Sequence, residues 1–346
     1  MKLDNINTVL VTGGAGYVGN VLVPLLLESN YKVIVYDAMF FYEDTLPDNN
    51  NLQIIKGDIR NIKLFESSLK NVDAVIHMAC ISNDPSFELD PELSTTINYD
   101  CFEPLVIASK KAGIKRFIYC SSSSVYGISD SPDVTEEHAL VPLTQYNKYK
   151  AMCEPILFKH QTKDFLCVTL RPATICGYSP RCRLDLTVNI LTNHAYNNNK
   201  IIVFGGDQKR PNLHIKDMAE AYKLFLEAPE DKIAGEIFNI GYQNYSVNEI
   251  ANIISSSLVK FENRENIIIE KVSTDDNRSY QINSDKIFKV LGYKPLRTLE
   301  DAVYDLCNAF KSGKLPNSLS DDKYMNVRVM KNKNVFDLDD NKRLYL

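Results

Sequence analysis

Three side chains, Ser122, Tyr146 and Lys150, have the types and the spacing to move a proton beside a polar ligand. Tyr146 and Lys150 belong to Tyr146-Asn-Lys-Tyr-Lys150, and a separation of four places two helical side chains one above the other on one face. An ammonium beside a phenol favours the phenolate. It lowers a pKa that is about 10 when unperturbed and makes a general base usable near neutrality. Upstream, Cys120-Ser-Ser-Ser-Ser-Val-Tyr-Gly127 reads as a strand end running into a row of hydroxyls. The Tyr-x-x-x-Lys spacing arises by chance in many helices, so the surrounding elements must supply its context.

Those elements begin at the amino terminus. Thr8 to Thr12 is β-rich and ends at Gly13-Gly-Ala-Gly16-Tyr-Val-Gly19; an apolar helical pattern follows, then a buried strand from Tyr31 to Tyr36 ending at Asp37. Strand, glycine turn, helix, strand and acid form the dinucleotide-binding unit. The first glycine permits a sharp turn, the next lets backbone approach a pyrophosphate, and the last lets helix pack on strand. The helix start then offers unpaired N–H groups to the phosphates. A carboxylate at the end of the second strand accepts from a ribose 2′-hydroxyl and repels a 2′-phosphate. With no arginine close behind it, Asp37 favours NAD over NADP, against the alternative of a solvated loop aspartate.

Strand and helix keep alternating. Strands are expected at Leu52 to Lys56, Val72 to Met78, Arg116 to Cys120 and Phe165 to Leu170. Helical patterns cover Pro91 to Ala112, with Pro104 expected to end or kink it, and 145 to 160, with Pro155 interrupting its middle. Near-continuously apolar strands at this spacing imply a parallel sheet covered on both faces. After Pro172 the alternation breaks down. An arginine-bearing loop leads to a helix before Asn199, a strand runs from Ile201 to Phe204, and helices follow at 215 to 226, 246 to 257 and 284 to 310. Ile237 to Ile240 is a strand suited to return to the main sheet.

With 346 residues, an apolar fraction of 45% and a charged fraction of 24%, the chain has the composition of a globular enzyme. A net charge of −5 and a pI near 5.7 argue against nucleic acid or an anionic membrane as partner. The amino terminus lacks the order of a signal peptide, and no apolar run is long enough to span a bilayer. The eight cysteines form no Cys-x-x-Cys pair and have no histidine at zinc spacing, so no metal site is expected and a reducing cytoplasm is.

In combination these motifs resemble the extended short-chain dehydrogenases/reductases that act on nucleotide-linked sugars. The resemblance covers roughly residues 8 to 310. It rests on Thr12-Gly-Gly-Ala-Gly-Tyr-Val-Gly19, Gly57-Asp58-Ile59, His77-Met-Ala79, the serine run, Tyr146-x-x-x-Lys150, Leu170-Arg-Pro172 and Arg210-Pro-Asn-Leu-His-Ile-Lys-Asp217. It implies an α/β fold, a Rossmann doubly wound parallel sheet with a smaller interleaved C-terminal substrate domain. Residues 1–172 would bind NAD, with 215–240 returning to that unit; 173–312 would bind the nucleotide sugar, and 313–346 would form a C-terminal extension, packed on the core, at a subunit contact or only partly ordered.

The resemblance also implies roles. Gly13, Gly16, Tyr17, Val18, Gly19 and Asp37 would hold the cofactor, with Asp58 and Ile59 flanking its adenine. Met78, Ala79, Cys80 and Pro172 would line its other side, and Asn98 would contact it or steady the catalytic helix. Ser122 matches the catalytic serine (a strand-end cap being the alternative), Tyr146 the base and Lys150 the cofactor-holding lysine. A diphosphate calls for arginine forks, here Arg181, Arg183, Arg210 and Arg278, with Ser123, Ser124, Thr174 and Asn189 as further substrate contacts. Arg278 stands a few residues later than the family's arginine, so a structural salt bridge is its other reading.

Relatives that eliminate water carry Asp-Glu where this chain has Ser123 and Ser124, which points away from dehydration and toward plain redox at C4. A 4-epimerase ranks first, then a 4-dehydrogenase or 4-ketoreductase acting on a GDP- or UDP-linked hexose or heptose. A catalytically silent NAD sensor is disfavoured by the retained Ser122, Tyr146 and Lys150. Cys176 and His214 fit poorly as the acid–base pair of C3/C5 epimerising relatives. The resemblance also implies a homodimer through the helices at 92 to 112 and 145 to 160.

Overall fold

Near-continuous runs of Val, Ile and Leu give strands that must be covered on both faces, and the chain covers them. The computed structural model describes residues 6–41, 44–129, 131–274 and 279–332. In chain order the first six strands are β1 (Thr8–Thr12), β2 (Lys32–Asp37), β3 (Leu52–Lys56), β4 (Ala74–His77), β5 (Arg116–Cys120) and β6 (Leu166–Pro172). Then come β7 (Thr174–Cys176), β8 (Lys200–Phe204), β9 (Lys209–His214), β10 (Glu236–Ile240), β11 (Gln243–Ser246) and β12 (Ile268–Val272).

Seven strands form one parallel sheet in the order β10-β6-β5-β4-β1-β2-β3. The order reverses between β1 and β4, so the carboxyl ends of these two strands open the crevice where open α/β sheets bind ligands. The helices Gly19–Glu28 and Ile215–Glu227 cover one face, burying Leu22, Leu26, Met218 and Phe225 against Val9, Ile76 and Val168. Helices Phe102–Lys111 and Gln145–Lys159 cover the other with Phe102, Leu105, Cys153 and Leu157. Burying each such side chain contributes on the order of 1.5–3 kcal/mol.

The C-terminal half has its own core. Helices Thr187–Asn198, Val247–Glu262 and Leu299–Lys311 pack Val188, Ile254 and Val303 with Ile201 and Val203 of β8. A fourth cluster joins the two halves: Tyr17 of the glycine turn, Cys182 and Leu184 of the loop before Thr187–Asn198, and Leu315 and Tyr324 near the C terminus.

Several local expectations need correction. β7, β9 and β11 form an unanticipated small sheet, and β12 pairs with β8; their mixed polar sequences carry no alternation. The stretch from Pro91 divides into a helix Pro91–Thr95, a π-turn Thr96–Asp100 and the helix Phe102–Lys111. The break therefore falls before Pro104, which sits in a first turn, where its missing N–H costs nothing. Pro155 does not interrupt Gln145–Lys159, which runs through it. The span 284 to 310 holds two helices, Asp285–Leu291 and Leu299–Lys311, separated at Gly292, which adopts φ +69°.

Candidate active site

The glycine turn shows why those residue types stand there. Gly13 has φ +72°, and a Cβ on it would lie 2.9 Å from the Ala79 backbone at the end of β4. On Gly19, a Cβ would come within 2.2 Å of the Gly14 carbonyl, so only glycine lets the helix pack this closely on the turn. The helix Gly19–Glu28 starts at Val18 without a side-chain cap; the Asn20 and Val21 N–H groups bond back to the Gly16 and Val18 carbonyls, and Gly16 to Gly19 line the cleft.

Asp37 closes the other side of the turn. Its Oδ2 accepts from the Ala15 N–H at 3.0 Å and its Oδ1 from the Met39 N–H at 2.8 Å. Burial pushes its pKa up while those two N–H groups pull it down. The carboxylate is thus held against the turn and keeps lone pairs for ribose hydroxyls. A cradle that any Cβ would fill, an uncapped helix start and an oriented acid together fit a dinucleotide.

Below the turn, Thr12 Oγ1 accepts from the Met78 and Ala79 N–H groups, both at 3.2 Å, and so donates to His77 Nδ1 at 2.9 Å. His77 stacks on Tyr119, and burial lowers its pKa to about 3, keeping it neutral. Asp58 is buried and forked by Arg60, with Oδ2 to Nη2 at 2.6 Å, which fixes the Gly57-Asp58-Ile59 edge of the cleft.

The catalytic end is set by how the helix Gln145–Lys159 meets β5 and β6. Thr144 caps the helix through the Asn147 N–H and donates to Asp84 Oδ1 at 2.6 Å. Farther along, Glu154 pairs with Arg171 of β6 through two contacts at 3.0 and 2.6 Å and accepts from Ser121 at 2.6 Å. Removing one partner of such a buried pair costs roughly 3–5 kcal/mol. The pair therefore fixes the phase of the helix, and with it the placement of Tyr146 and Lys150. Lys150 reaches across to donate to the Cys120 carbonyl at 2.7 Å.

Ser122 caps a 3-10 turn through the Ser124 N–H and also lines the cleft, so cap and candidate catalyst are the same residue. Its hydroxyl lies 2.7 Å from Ser124 Oγ, which donates to Asn147 Oδ1 at 2.5 Å. This makes a short hydroxyl chain beside Tyr146.

The charge balance at the phenol is set first by burial. Burial pushes the Tyr146 phenol well up, Cys80, Cys120 and Asp84 add to that, and Arg183 acts against it. Burial opposes the Lys150 charge, but the thiol groups of Cys80 and Cys120 around it leave its pKa raised on balance. Lys150 remains an ammonium.

These elements surround one cleft of about 570 Å³. It brings together the glycine turn from Gly13 to Gly19 with Tyr17 and Val18, Asp37, Asp58, Ile59, and Met78, Ala79 and Cys80. Ser122, Ser124, Tyr146, Lys150 and Pro172 join them, as do Thr174, Arg181, Arg183 and Arg210.

Ser123 and Asn189 turn away from the cleft, and Asn98 meets the catalytic helix, its carbonyl accepting from Cys153 at 3.5 Å. Asn98 is buried behind the wall, its amide pairing both backbone groups of Ile81 at 2.8 and 2.9 Å. Ser123 is buried one position out of phase with the cleft. Asn189 is fully buried and knits the Gly177 and Arg183 backbone to Tyr17. Arg278 lies outside the described residues. Cys176 and His214 are buried beside each other on β7 and β9, away from the cleft wall.

Other cleft residues escaped sequence reasoning. Asp185 forks Arg183 at 2.9 and 3.1 Å, and Arg183 also donates to Ser82 at 3.2 Å. Asn326 and Met330, close to the C terminus, line the cleft as well. The Arg183-x-Asp185 spacing could have announced the first pair; nothing local announced Asn326. Among the described residues no group of His, Cys, Asp and Glu is placed to hold a metal, and no helix is long and apolar enough to cross a membrane.

A parallel Rossmann sheet with this turn, acid and Ser-Tyr-Lys cleft defines an extended short-chain dehydrogenase/reductase. The chain belongs to the NAD dependent epimerase/dehydratase family, whose model matches residues 9–241. It is 27% identical over 317 residues to a UDP-glucose 4-epimerase of Lactobacillus helveticus, covering 85% of this chain and 94% of that one. A dTDP-D-glucose 4,6-dehydratase of Homo sapiens is 30% identical over 307 residues, covering 83% and 85%. Among solved structures, MoeE5 in complex with UDP-glucuronic acid and NAD superposes with a TM-score of 0.76 at 26% identity, covering 89% and 100%. The protein is accordingly an NAD-dependent enzyme of this family.

Proposed function

We propose that the protein is a 4-epimerase of a nucleotide-diphosphate sugar. The observation that carries this reading is the convergence of Ser122, Tyr146 and Lys150 on a cleft whose opposite wall is the glycine turn. NAD held against the glycine turn would supply the acceptor and donor of hydride for C4 of the sugar. Tyr146 removes the proton of the C4 hydroxyl and later gives it back. Burial favours the phenol, so positive charge at the site must release that proton, and Arg183 acts in that direction.

Ser122 turns its hydroxyl from Ser124 to the same sugar oxygen, with Ser124 and Asn147 behind it. Lys150 spends one N–H on Cys120 and offers the others to hydroxyls of the cofactor's ribose. Arg210, reaching the cleft from β9, suits the substrate diphosphate.

Redox without elimination is supported by what stands near Tyr146. Ser123 is buried, Ser124 pairs with Asn147, and the nearby carboxylates are engaged, Asp84 by Thr144 and Asp185 by Arg183. The test is to incubate the purified protein with NAD and UDP-, GDP-, CDP- and dTDP-sugars, following NADH absorbance and identifying the sugar by NMR. Inversion at C4 without lasting NADH is expected. Accumulated NADH would make the protein a dehydrogenase, and loss of water from the sugar would overturn the choice against dehydration.

A further inference from the structure

Arg181 and Arg183 stand two apart on one loop and enter the same cleft, but their surroundings differ. Arg183 is forked by Asp185. Among the described residues Arg181 has no carboxylate partner within ion-pair distance, although only 4% of its surface is exposed. Its guanidinium stacks on Phe41 at 4.4 Å, its Nη2 donates to Asn326 Oδ1 at 2.6 Å, and its Nε is buried without a hydrogen-bond partner. A guanidinium so far removed from water, with one neutral acceptor, is suited to an anionic ligand. Burial and the neighbouring Arg183 accordingly lower its pKa to about 10.

The loop's attachments say which anion. Tyr17 of the glycine turn donates to the Gly177 carbonyl at 2.6 Å, and Ser179 donates back to the Tyr17 carbonyl at 2.7 Å. Two residues beyond Ser179, Arg181 is thereby fastened to the turn, and the charge of Asp37 reaches it from the other side. Phe41, under its guanidinium, follows β2. Glycine turn, Asp37 and Phe41 all belong to the dinucleotide half.

We propose that Arg181 clamps the diphosphate of the dinucleotide, not that of the sugar nucleotide, and that Asn326 of the C-terminal segment aims it. The uncapped helix start at Val18 meets that diphosphate from one side and Arg181 from the other. The C-terminal segment is well anchored for this task. Its Tyr324 carbonyl accepts from the Leu184 N–H at 2.9 Å, and the Asn326 N–H donates to Asp185 at 3.1 Å. Cofactor retention is then a property of both halves and the C-terminal segment together. This rests on the family's use of NAD and is independent of which reaction follows.

The full-length protein, stripped of nucleotide, is titrated calorimetrically with NAD, ADP-ribose, adenosine and UDP. Losing a charge-assisted hydrogen-bonding group should weaken NAD and ADP-ribose about tenfold or more in Arg181→Met, with adenosine and UDP changed by less than about twofold. Asn326→Ala, which frees the guanidinium without removing it, should weaken NAD about threefold. Unchanged NAD affinity in Arg181→Met, or a loss for UDP as large as that for NAD, would overturn the proposal. Should Arg181→Met fail to fold, Arg181→Lys decides. It keeps the charge and loses the fork, so NAD must weaken while UDP does not, and equal NAD affinity counts against the clamp. A parent protein that binds UDP but not NAD would instead overturn the cofactor reading beneath it.

Discussion

The two ends of the cleft are built on different plans. At the catalytic end, Ser122, Tyr146 and Lys150 sit on a strand end and a helix next to it, and their partners Ser124, Asn147 and Cys120 are close in sequence or on adjoining elements. At the arginine end, Arg181 and Arg183 sit on an irregular loop and are held by Ser82, 101 positions before Arg183, and by Asn326, 145 positions after Arg181. One end is mostly neutral and locally encoded; the other is charged and assembled from distant chain. Substitutions should therefore cost function at the first end and structure at the second.

Tyr146→Phe is the strongest challenge to this contrast. Among the described residues the phenol hydroxyl has no hydrogen bond that would be lost, so melting temperature should hold. Turnover should fall about 10²–10⁴-fold, the usual worth of a positioned general acid–base. Retained NAD should be unchanged. A variant active at the parent rate removes Tyr146 from the mechanism; a variant that unfolds removes the distinction between the two ends.

Asp185→Asn probes the other end. It leaves the buried Arg183 guanidinium without its carboxylate and weakens the acceptor for the Asn326 N–H. The expected loss is about 3 kcal/mol, read by denaturant unfolding, with the C-terminal segment made accessible to protease. Stability equal to the parent would show that the arginine end is not held by its ion pair.

The same contrast explains what the sequence could tell. The dinucleotide unit was legible because a turn, a helix and two strands impose fixed spacings, and Gly13, Gly19 and Asp37 each meet a geometric demand that few residues satisfy. Tyr146 and Lys150 followed from helix period. Ser123 and Asn189 were misplaced because residue type and position along the chain do not say which way a side chain turns. A serine one step out of phase in a 3-10 turn is buried, and an asparagine amide serves backbone groups as readily as a ligand. Glu154, which fixes the catalytic helix through Arg171, and Asn326, which aims Arg181, act across the fold and leave no local pattern.

A further contrast, between the floor of the glycine turn and the arginine end, is read by pH. The ordinary pKa of His77, about 6.5, falls to about 3 on burial, so between these values the unfolded chain binds a proton that the folded protein excludes. Stability tied to neutral His77 is complete above pH 6.5 and declines as pH falls toward 3, by at most about 1.4 kcal/mol per pH unit. For Asp185 burial acts upward, but Arg183 outweighs it and holds the carboxyl below its ordinary 3.8. Its contribution is present above pH 3.8 and lost only below, as pH passes the folded value. From pH 6.5 to about 4, then, acid should weaken the floor of the dinucleotide half while the arginine end stays intact. Unfolding curves of His77→Asn and the parent should differ in slope across that window, the variant being flatter, while Asp185→Asn should run parallel to the parent there and depart from it only in stronger acid. Parallel curves for His77→Asn would mean that the imidazole is protonated in the folded protein, and that the Thr12–His77 floor is not the neutral counterpart of the arginine end.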